Sequence, residues 1–453
     1  MKMQSNQSMW KRFKVRARTF WLVAGLFATI LPGAVQAQKF TNTQREDARE
    51  MLRLVAADVK KNYYDPKLHG FDFDARVHEV DEKLKSATSL NQSFALIGYA
   101  LDGLDDSHTF FVPPGRTIRL DYGYRIRMIG ERCFVTNVRP KSDAESKGLK
   151  PGDEVLAVNG TTPTRSNFAT MQYVFNILAP RAVTQLTLRG ADGQPKQLAI
   201  EAKRRQLQKL VDLTGGQADT IIADLIREDE NYDRLRRTRC NDLGPELAVC
   251  KMPEFDLSGD EAHELIAIAK KHTSLIFDLR GNPGGSVYTL SNVLGGFFDH
   301  EVKIGDRIGR KEMKPVAAKP VHILFPGKLI VLVDSTSASA AELFARVIQL
   351  EKRGTVLGDH TLGLVMEARG HGYTLGVESV AWYGASITDA DLIMTDGKTL
   401  EKFGVTPDEI VLPTAADLKD NKDPVIARAA ELLGVKLTPE KAASLFPYEW
   451  PKD

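Results

Sequence analysis

Metal-binding patterns are missing from this chain. Its nine histidines include no HExxH pair and no Cys/His cluster, which excludes the familiar zinc arrangements and leaves no metal site. No GxxxxGK[ST] occurs, so the phosphate cradle of the P-loop enzymes is excluded too, and no cofactor is implied. Cysteine is scarce, three in 453 residues, too few for a scaffold built on disulfides. Cys240 and Cys250 are close enough in sequence to pair, and they could equally be reduced and buried; Cys133 is left over in an apolar, strand-like segment.

Long apolar runs are absent except near the start. There Lys2, Lys11, Arg12, Lys14, Arg16 and Arg18 precede an apolar stretch from Phe20 to Leu31 and an Ala-Val-Gln-Ala37 end. A basic region, a short apolar core and an A-x-A-like end predict a cleaved secretory signal over 1–37. The stretch is shorter than the ~20 residues a membrane span needs. The expectation is a secreted protein, periplasmic in a Gram-negative host, with no stable membrane insertion after cleavage. An uncleaved anchor is the alternative.

No sign of charge dominates: the formal charge is +2. Removing 1–37 takes away six Lys/Arg and no Asp/Glu, leaving 55 against 59, or −4. Nucleic acid is therefore excluded as a partner on charge. The basic run Arg234, Arg236, Arg237, Arg239 reads as a solvated helix face.

What is present is an ordinary globular composition, 43% hydrophobic and 26% charged, long enough for three domains. The chain is organised around Leu329–Gln349. Leu329 to Val333 is a continuous apolar run rich in β-branched residues, the pattern of a strand covered on both faces. Leu343, Phe344, Val347 and Ile348 then recur at helical spacing. Between them lie Ser335, Ser337 and Ser339, so a serine would sit at a helix N-terminus beside free backbone N–H groups. A nucleophile and an oxyanion hole are easily combined there, and a Ser cap on an ordinary helix is the plainer reading.

From the start of the mature chain, Ala48, Met51, Leu52, Val55 and Val59 predict an amphipathic helix capped by Asn42 or Thr43. Phe94, Ile97, Leu101 and Leu104 predict a second, ending at Gly103. His108 follows on a loop, in Asp105-Asp-Ser-His-Thr109, where it is either aimed outside its own domain or bonded to a local carboxylate such as Asp105.

From about 116 to 205 short strands alternate with turns: 124–129, 133–138, 153–158 and 185–188, with short helices at 144–147 and 169–178. Lys147-Gly-Leu-Lys-Pro-Gly-Asp153 followed by Val155-Leu-Ala-Val-Asn-Gly160 resembles a PDZ domain. That resemblance implies a groove that captures a C-terminal peptide by strand addition, with Tyr122, Gly123 and Tyr124 at the carboxylate-binding loop. A PDZ-like module that only gates the next domain is the other use.

Residues 206–243 read as a charged helical arm. Beyond 244, a strand at 247–252, a helix at 262–271 and a buried strand at 274–278 alternate, which argues for an α/β layered core over 244–435. The small helical N-terminal domain covers 40–115, the PDZ-like domain 116–205, and a tail 436–453.

Four segments in order, Asp278-Leu-Arg-Gly-Asn-Pro-Gly-Gly285, Ser337-Ala-Ser-Ala-Ala-Glu342, Val356-Leu-Gly-Asp359 and Leu400-Glu-Lys-Phe-Gly-Val-Thr-Pro-Asp408, resemble the C-terminal processing (tail-specific) serine peptidases. The resemblance implies a multidomain α/β chain with a ClpP/crotonase-like core acting on polypeptides. It makes Ser339 the nucleophile, with the amide of Ala340 and one from Gly284 or Gly285 as the oxyanion hole. The family's common branch carries its base in a Thr-Phe-Gly-Lys-Gly segment. Here the sequence is Thr361-Leu-Gly-Leu-Val365, so Leu364 stands at the lysine position and no lysine lies between Lys352 and Lys398.

The tricorn-like branch resembles this chain at Leu104-Asp-Asp-Ser-His-Thr109 and at Leu400-Glu-Lys-Phe-Gly404. It implies His108 as general base, Glu401 orienting it and Ser107 assisting. A histidine has the pKa this task needs, and a carboxylate behind it completes the triad logic. His360 and His371 are rival bases, and Asp396 rivals Glu401. Two other functions are open: a peptide-binding or adaptor protein that lost activity with the lysine, and a crotonase-like acyl-CoA enzyme.

Overall fold

The computed structural model describes residues 40–116, 118–190, 193–206, 234–376 and 381–451; the expected signal over 1–37 and most of the expected arm lie outside them. No helix among the described residues is long and apolar enough to cross a membrane. The chain opens with three helices, Asn42–Asn62, Phe73–Leu84 and Leu90–Asp102, each begun by a side-chain oxygen accepting a backbone N–H: Thr41, Asp72 and Ser89. Thr41 takes the cap expected of Asn42 or Thr43, because Gln44 three residues on answers it reciprocally in a capping box. The middle helix was not expected: only Phe73, Val80 and Leu84 of it are buried, a stripe too thin to read.

The PDZ-like region is built mainly of short strands. Tyr124–Ile129 pairs antiparallel with Arg132–Val138, and Val183–Arg189 lies between Val155–Val158 and Pro195–Glu201. Its helix is Phe168–Tyr173 with a wider turn to Leu178. The first helical segment and this region share one apolar cluster, in which Val55, Ile97, Phe111, Val135, Leu178 and Tyr383 are all buried. Strand Phe110–Val112 also joins the hairpin Met366–Leu375/Ala381–Met394 of the core. The expected N-terminal domain is thus welded to both neighbours.

The core is a six-stranded sheet in the order Glu409–Ile410, Thr355–Gly358, Lys328–Val333, Ser274–Asp278, Leu247–Lys251, Arg239–Asp242. All neighbours are parallel except the last pair. Ser274–Asp278 is buried along its whole length, as a strand with helices on both faces must be. Helices Gly259–Ala269, Val287–Gly295 and Ala340–Leu350 cover one face through Leu265, Val293 and Phe344. Pro424–Leu432 and Pro439–Leu445 cover the other.

Two expectations are corrected here. The helical arm ends in a strand, Arg239–Asp242, whose Cys240 faces Cys250 across the pair and is joined to it as a disulfide; Cys133 is free and buried. The basic run is solvated only in part: Arg236 and Arg237 are exposed, with Arg236 paired to Glu254, whereas Arg234 and Arg239 are half-buried against Glu449. The tail over 436–453 carries a helix, Pro439–Leu445, that buries Ala442 on the sheet, and its Tyr448 accepts a hydrogen bond from Arg125 of the PDZ-like region at 3.0 Å.

Candidate active site

Three adjacent parallel strands end at Asp278, Val333 and Gly358, and ligands of open α/β sheets collect beyond such carboxyl ends. The loop after the first is fixed by charge. Burial would push Asp278 up, but Arg280 and Lys251 hold it well below the usual carboxylate range, and Arg280 also grips Asp423 at 2.8 Å. Asn282 then donates to Met252 C=O and accepts from Gly284 N–H, both at 2.8 Å. Gly284 and Gly285 follow with φ of 103° and 139°, values a side chain rarely tolerates. A Cβ on Gly284 would lie 2.6 Å from Ser339 Cβ, so this loop rests directly on Ser339.

The second loop sorts its three serines by their hydrogen bonds. Ser335 Oγ donates to Met128 C=O of the PDZ-like strand. Ser337 Oγ donates to Leu279 C=O at 2.8 Å and accepts from Asp334 N–H at 2.9 Å. Ser339 Oγ faces the Glu342 N–H of its own helix in a capping box but donates to no acceptor among the described residues, and its backbone is held at φ 52°, ψ −119°. Non-glycine residues in such conformations are costly and cluster at functional sites. The N–H groups of Gly285 and Ala340 also meet no acceptor among the described residues, whereas Gly284 N–H is taken by Asn282. Of the expected oxyanion donors, Gly284 N–H is thus already engaged, and those of Ala340 and Gly285 are not.

Glu342, in the first turn of helix Ala340–Leu350, received no role from the sequence. It is fully buried and accepts from Ser339 N–H (3.0 Å), Gly363 N–H (2.8 Å), Leu364 N–H (3.0 Å) and the Thr361 hydroxyl. Burial outweighs those bonds and pushes its carboxyl up to about 7. The Ser-x-x-Glu spacing of a capping box was the signal available for it.

The third loop supplies the link to the N-terminal segment. Leu364 C=O accepts from Ser339 N–H at 2.9 Å, and the next N–H, that of Val365, donates to Glu401 Oε2 at 2.8 Å. One peptide group therefore joins the serine to the glutamate. Glu401 in turn accepts from Ser107 N–H (3.0 Å) and Ser107 Oγ (2.8 Å), and Ser107 Oγ lies 2.6 Å from His108 Nδ1. Ser107 bridges the two rather than standing nearby. Burial pushes Glu401 up to about 7. Burial lowers the His108 imidazole below its ordinary range, with Asp106 opposing.

The rival groups are occupied elsewhere. His371 faces Asp58 on the first helix at 3.5 Å, and His360 Nδ1 contacts Thr406 Oγ1 at 3.2 Å. Asp396 pairs with Arg346. Among the described residues no group of three or more His, Cys, Asp or Glu is placed to hold a metal.

The PDZ-like region grips both loops beside Ser339. Arg127 pairs with Asp334, and Asp359 accepts from Gly130 N–H at 2.8 Å and from Arg165 at 3.2 Å. Its groove, about 900 Å³, is lined by Tyr122, Tyr124, Ile126, Met171, Phe175 and, from the tail, Pro451. Gly123 N–H donates to Asp121 at 2.9 Å, and the Tyr122 hydroxyl to Arg181 C=O at 2.8 Å. These bonds tie the turn down and use its Gly123 donor.

Residues 246–411 match peptidase family S41, and residues 97–189 match the PDZ domain family. The tail-specific protease of Haemophilus influenzae is 23% identical over 388 residues, covering 84% of this chain and 50% of that protein. The carboxyl-terminal-processing protease of Picosynechococcus is 24% identical over 340 residues, 71% of this chain and 73% of that one. The chain thus spans half the length of the first of these relatives. Among solved structures, mature CPAF superposes with a TM-score of 0.61 at 15% identity, over 83% of this chain and 94% of that one, which establishes a shared fold.

Proposed function

We infer from a chain that carries a peptidase family S41 domain and a PDZ domain that it is a secreted serine endopeptidase acting on polypeptides presented by their C-terminal ends. The relatives whose names specify tail or carboxyl-terminal processing support the substrate class. The observation that supports the mechanism most is the unbroken path from Ser339 N–H through the Leu364–Val365 peptide group to Glu401, Ser107 and His108.

In this reading His108 takes the Ser339 hydroxyl proton as Oγ bonds to the scissile carbonyl carbon. Ala340 and Gly285 N–H stabilise the oxyanion. The C–N bond then breaks, and His108 returns the proton to the leaving amine. Water, deprotonated by the same imidazole, hydrolyses the acyl-enzyme. Glu401 acts on the imidazole through the Ser107 hydroxyl, in the order of the tricorn-like branch. The PDZ groove holds the peptide end while its grip on Asp334 and Asp359 keeps groove and serine in fixed relation.

One observation favours a second reading, a peptide binder without turnover: Leu364 stands at the family's lysine position and contributes only backbone groups here. Fluorophosphonate labelling of the full chain separates the two. An adduct on Ser339 that vanishes in His108→Ala is expected; an unlabelled Ser339 would make the chain a binder.

A further inference from the structure

The loop that carries His108 is held by a carboxylate with no task in the reaction above. Asp106 Oδ1 accepts from His108 N–H (2.8 Å), Thr109 N–H (2.7 Å) and the Thr388 hydroxyl (2.8 Å) on strand Ala381–Met394. Bonds to the amides two and three residues on make an Asx turn, which asparagine supplies as well as aspartate. The second oxygen separates the two residue types. Oδ2 is buried and meets no well-aligned donor among the described residues, with the Tyr63 hydroxyl near enough to act on Asp106 as a hydrogen bond does. Burying a carboxylate oxygen with so little hydrogen bonding is costly, so turn-making alone does not account for an acid at this position.

The groups that feel this carboxylate come from every element packed on the loop. Tyr63, at the end of the first helix, is driven well above the ordinary tyrosine range by burial and then by Asp106. Tyr64 beside it is raised by burial, with Asp391 and Asp106 adding to it. His69 Nε2 lies 3.0 Å from both phenol oxygens. Glu401 is raised by burial and, in smaller part, by Asp106. Asp105, next in the chain, is tied to Lys402 at 2.5 Å. Of the groups that Asp106 acts on, His108 alone can gain a positive charge. Burial depresses its basicity and Asp106 restores part of it. Glu401 reaches the imidazole only through a neutral hydroxyl.

We propose that Asp106 is a positioning residue for His108, fixing its loop through Oδ1 and compensating, from Oδ2, the positive charge the imidazole acquires when it takes the Ser339 proton. The division of labour differs from a simple triad: Glu401 with Ser107 orients the ring, and Asp106 supplies the charge. This rests on the serine–histidine reading above, and the test keeps the two apart.

The rate at which a fluorophosphonate labels Ser339 is measured from pH 5 to 9 in the full chain, for wild type, Asp106→Asn and Asp106→Ala. The probe's P–F bond breaks as Oγ–P forms, fluoride leaves, and the proton passes to His108, so the acid limb reports the imidazole. Asp106→Asn keeps the turn and removes the charge. Its acid limb moves down by about one pH unit and its plateau rate falls roughly 10-fold or more. Asp106→Ala, lacking the turn as well, falls further. An acid limb at the wild-type pH in Asp106→Asn overturns the proposal, whatever the rate, because a purely structural role leaves the midpoint in place. Failure of the underlying reading looks different: wild-type Ser339 is not labelled, or His108→Ala is labelled as fast as wild type, and the proposal falls with it.

Discussion

Glu342 and Glu401 are both buried, both pushed up to about 7, and stand on either side of the Leu364–Val365 segment. Their partners differ in reach. Glu342 collects donors from positions 339–364, all within the core, and so staples one strand-to-helix turn to one loop. Glu401 reaches Ser107, 294 residues away in sequence, and so ties the N-terminal loop to the core. The same chemistry thus serves holding a serine in one case and, in the proposed mechanism, bringing it a base in the other.

The sharpest way to break the comparison is to make the same change at both. Glu401→Gln is expected to lower peptide cleavage by 10²- to 10⁴-fold, on the order seen when a triad acid is neutralised, with little change in thermal midpoint. Glu342→Gln turns an amide NH₂ against donors that need an acceptor, and is expected to cost about 3 kcal/mol in denaturant unfolding. Equal effects from the two would erase the distinction.

The serine side alone is probed by Gly284→Ala. The added Cβ would meet Ser339 Cβ at 2.6 Å, at a φ of 103° that alanine resists. Cleavage is expected to fall about 100-fold through misplacement of the nucleophile, while the Glu401–Ser107–His108 contacts persist in a crystal structure of the variant.

A third test uses pH. A carboxyl whose pKa rises on folding, here from 4.5 to about 7, holds its proton more tightly when folded. The stability it contributes is complete below about 4.5 and is lost as pH climbs to 7. Each glutamate accounts for on the order of 3 kcal/mol across that window. His108, lowered by burial, works in the opposite sense below its ordinary range, so the wild-type curve mixes signs. The difference between wild type and Glu342→Gln isolates one group: wild type should lose stability relative to the variant from pH 4.5 to 7.

The smallest effect is expected at the second tie between the same loops. Lys402 and Asp105 pair at 2.5 Å with side chains 42% and 34% exposed. Lys402→Ala should cost less than about 1 kcal/mol and leave cleavage within twofold.

The layered core was legible because its strands are buried on both faces and read as apolar runs, as Ile330 and Val331 do. Ser339 could be chosen from its neighbours only by motif register; the reason, that Ser335 and Ser337 spend their hydroxyls on backbone carbonyls, is invisible in one dimension. The pairing of His108 with Glu401 was reachable only through a family resemblance, since no local period links positions so far apart. Glu342 was missed because a capping spacing looks the same whether the glutamate is solvated or sealed. Asp106 looked like any loop acid, and its buried, poorly bonded second oxygen distinguishes it. The packing of the tail was not legible because Tyr448, Glu449 and Pro451 gain meaning from partners elsewhere in the chain.

The central claim is that the base for Ser339 comes from the N-terminal segment. A crystal structure of the full chain with a peptide boronate or phosphonate on Ser339 measures it directly, as the distance from His108 Nε2 to the nearest oxygen of the adduct. The account predicts hydrogen-bond reach, about 2.6–3.2 Å directly or through one water, with Ser107 still between His108 Nδ1 and Glu401. A His108 ring beyond that reach, with His360, His371 or a lysine against the adduct instead, would contradict it.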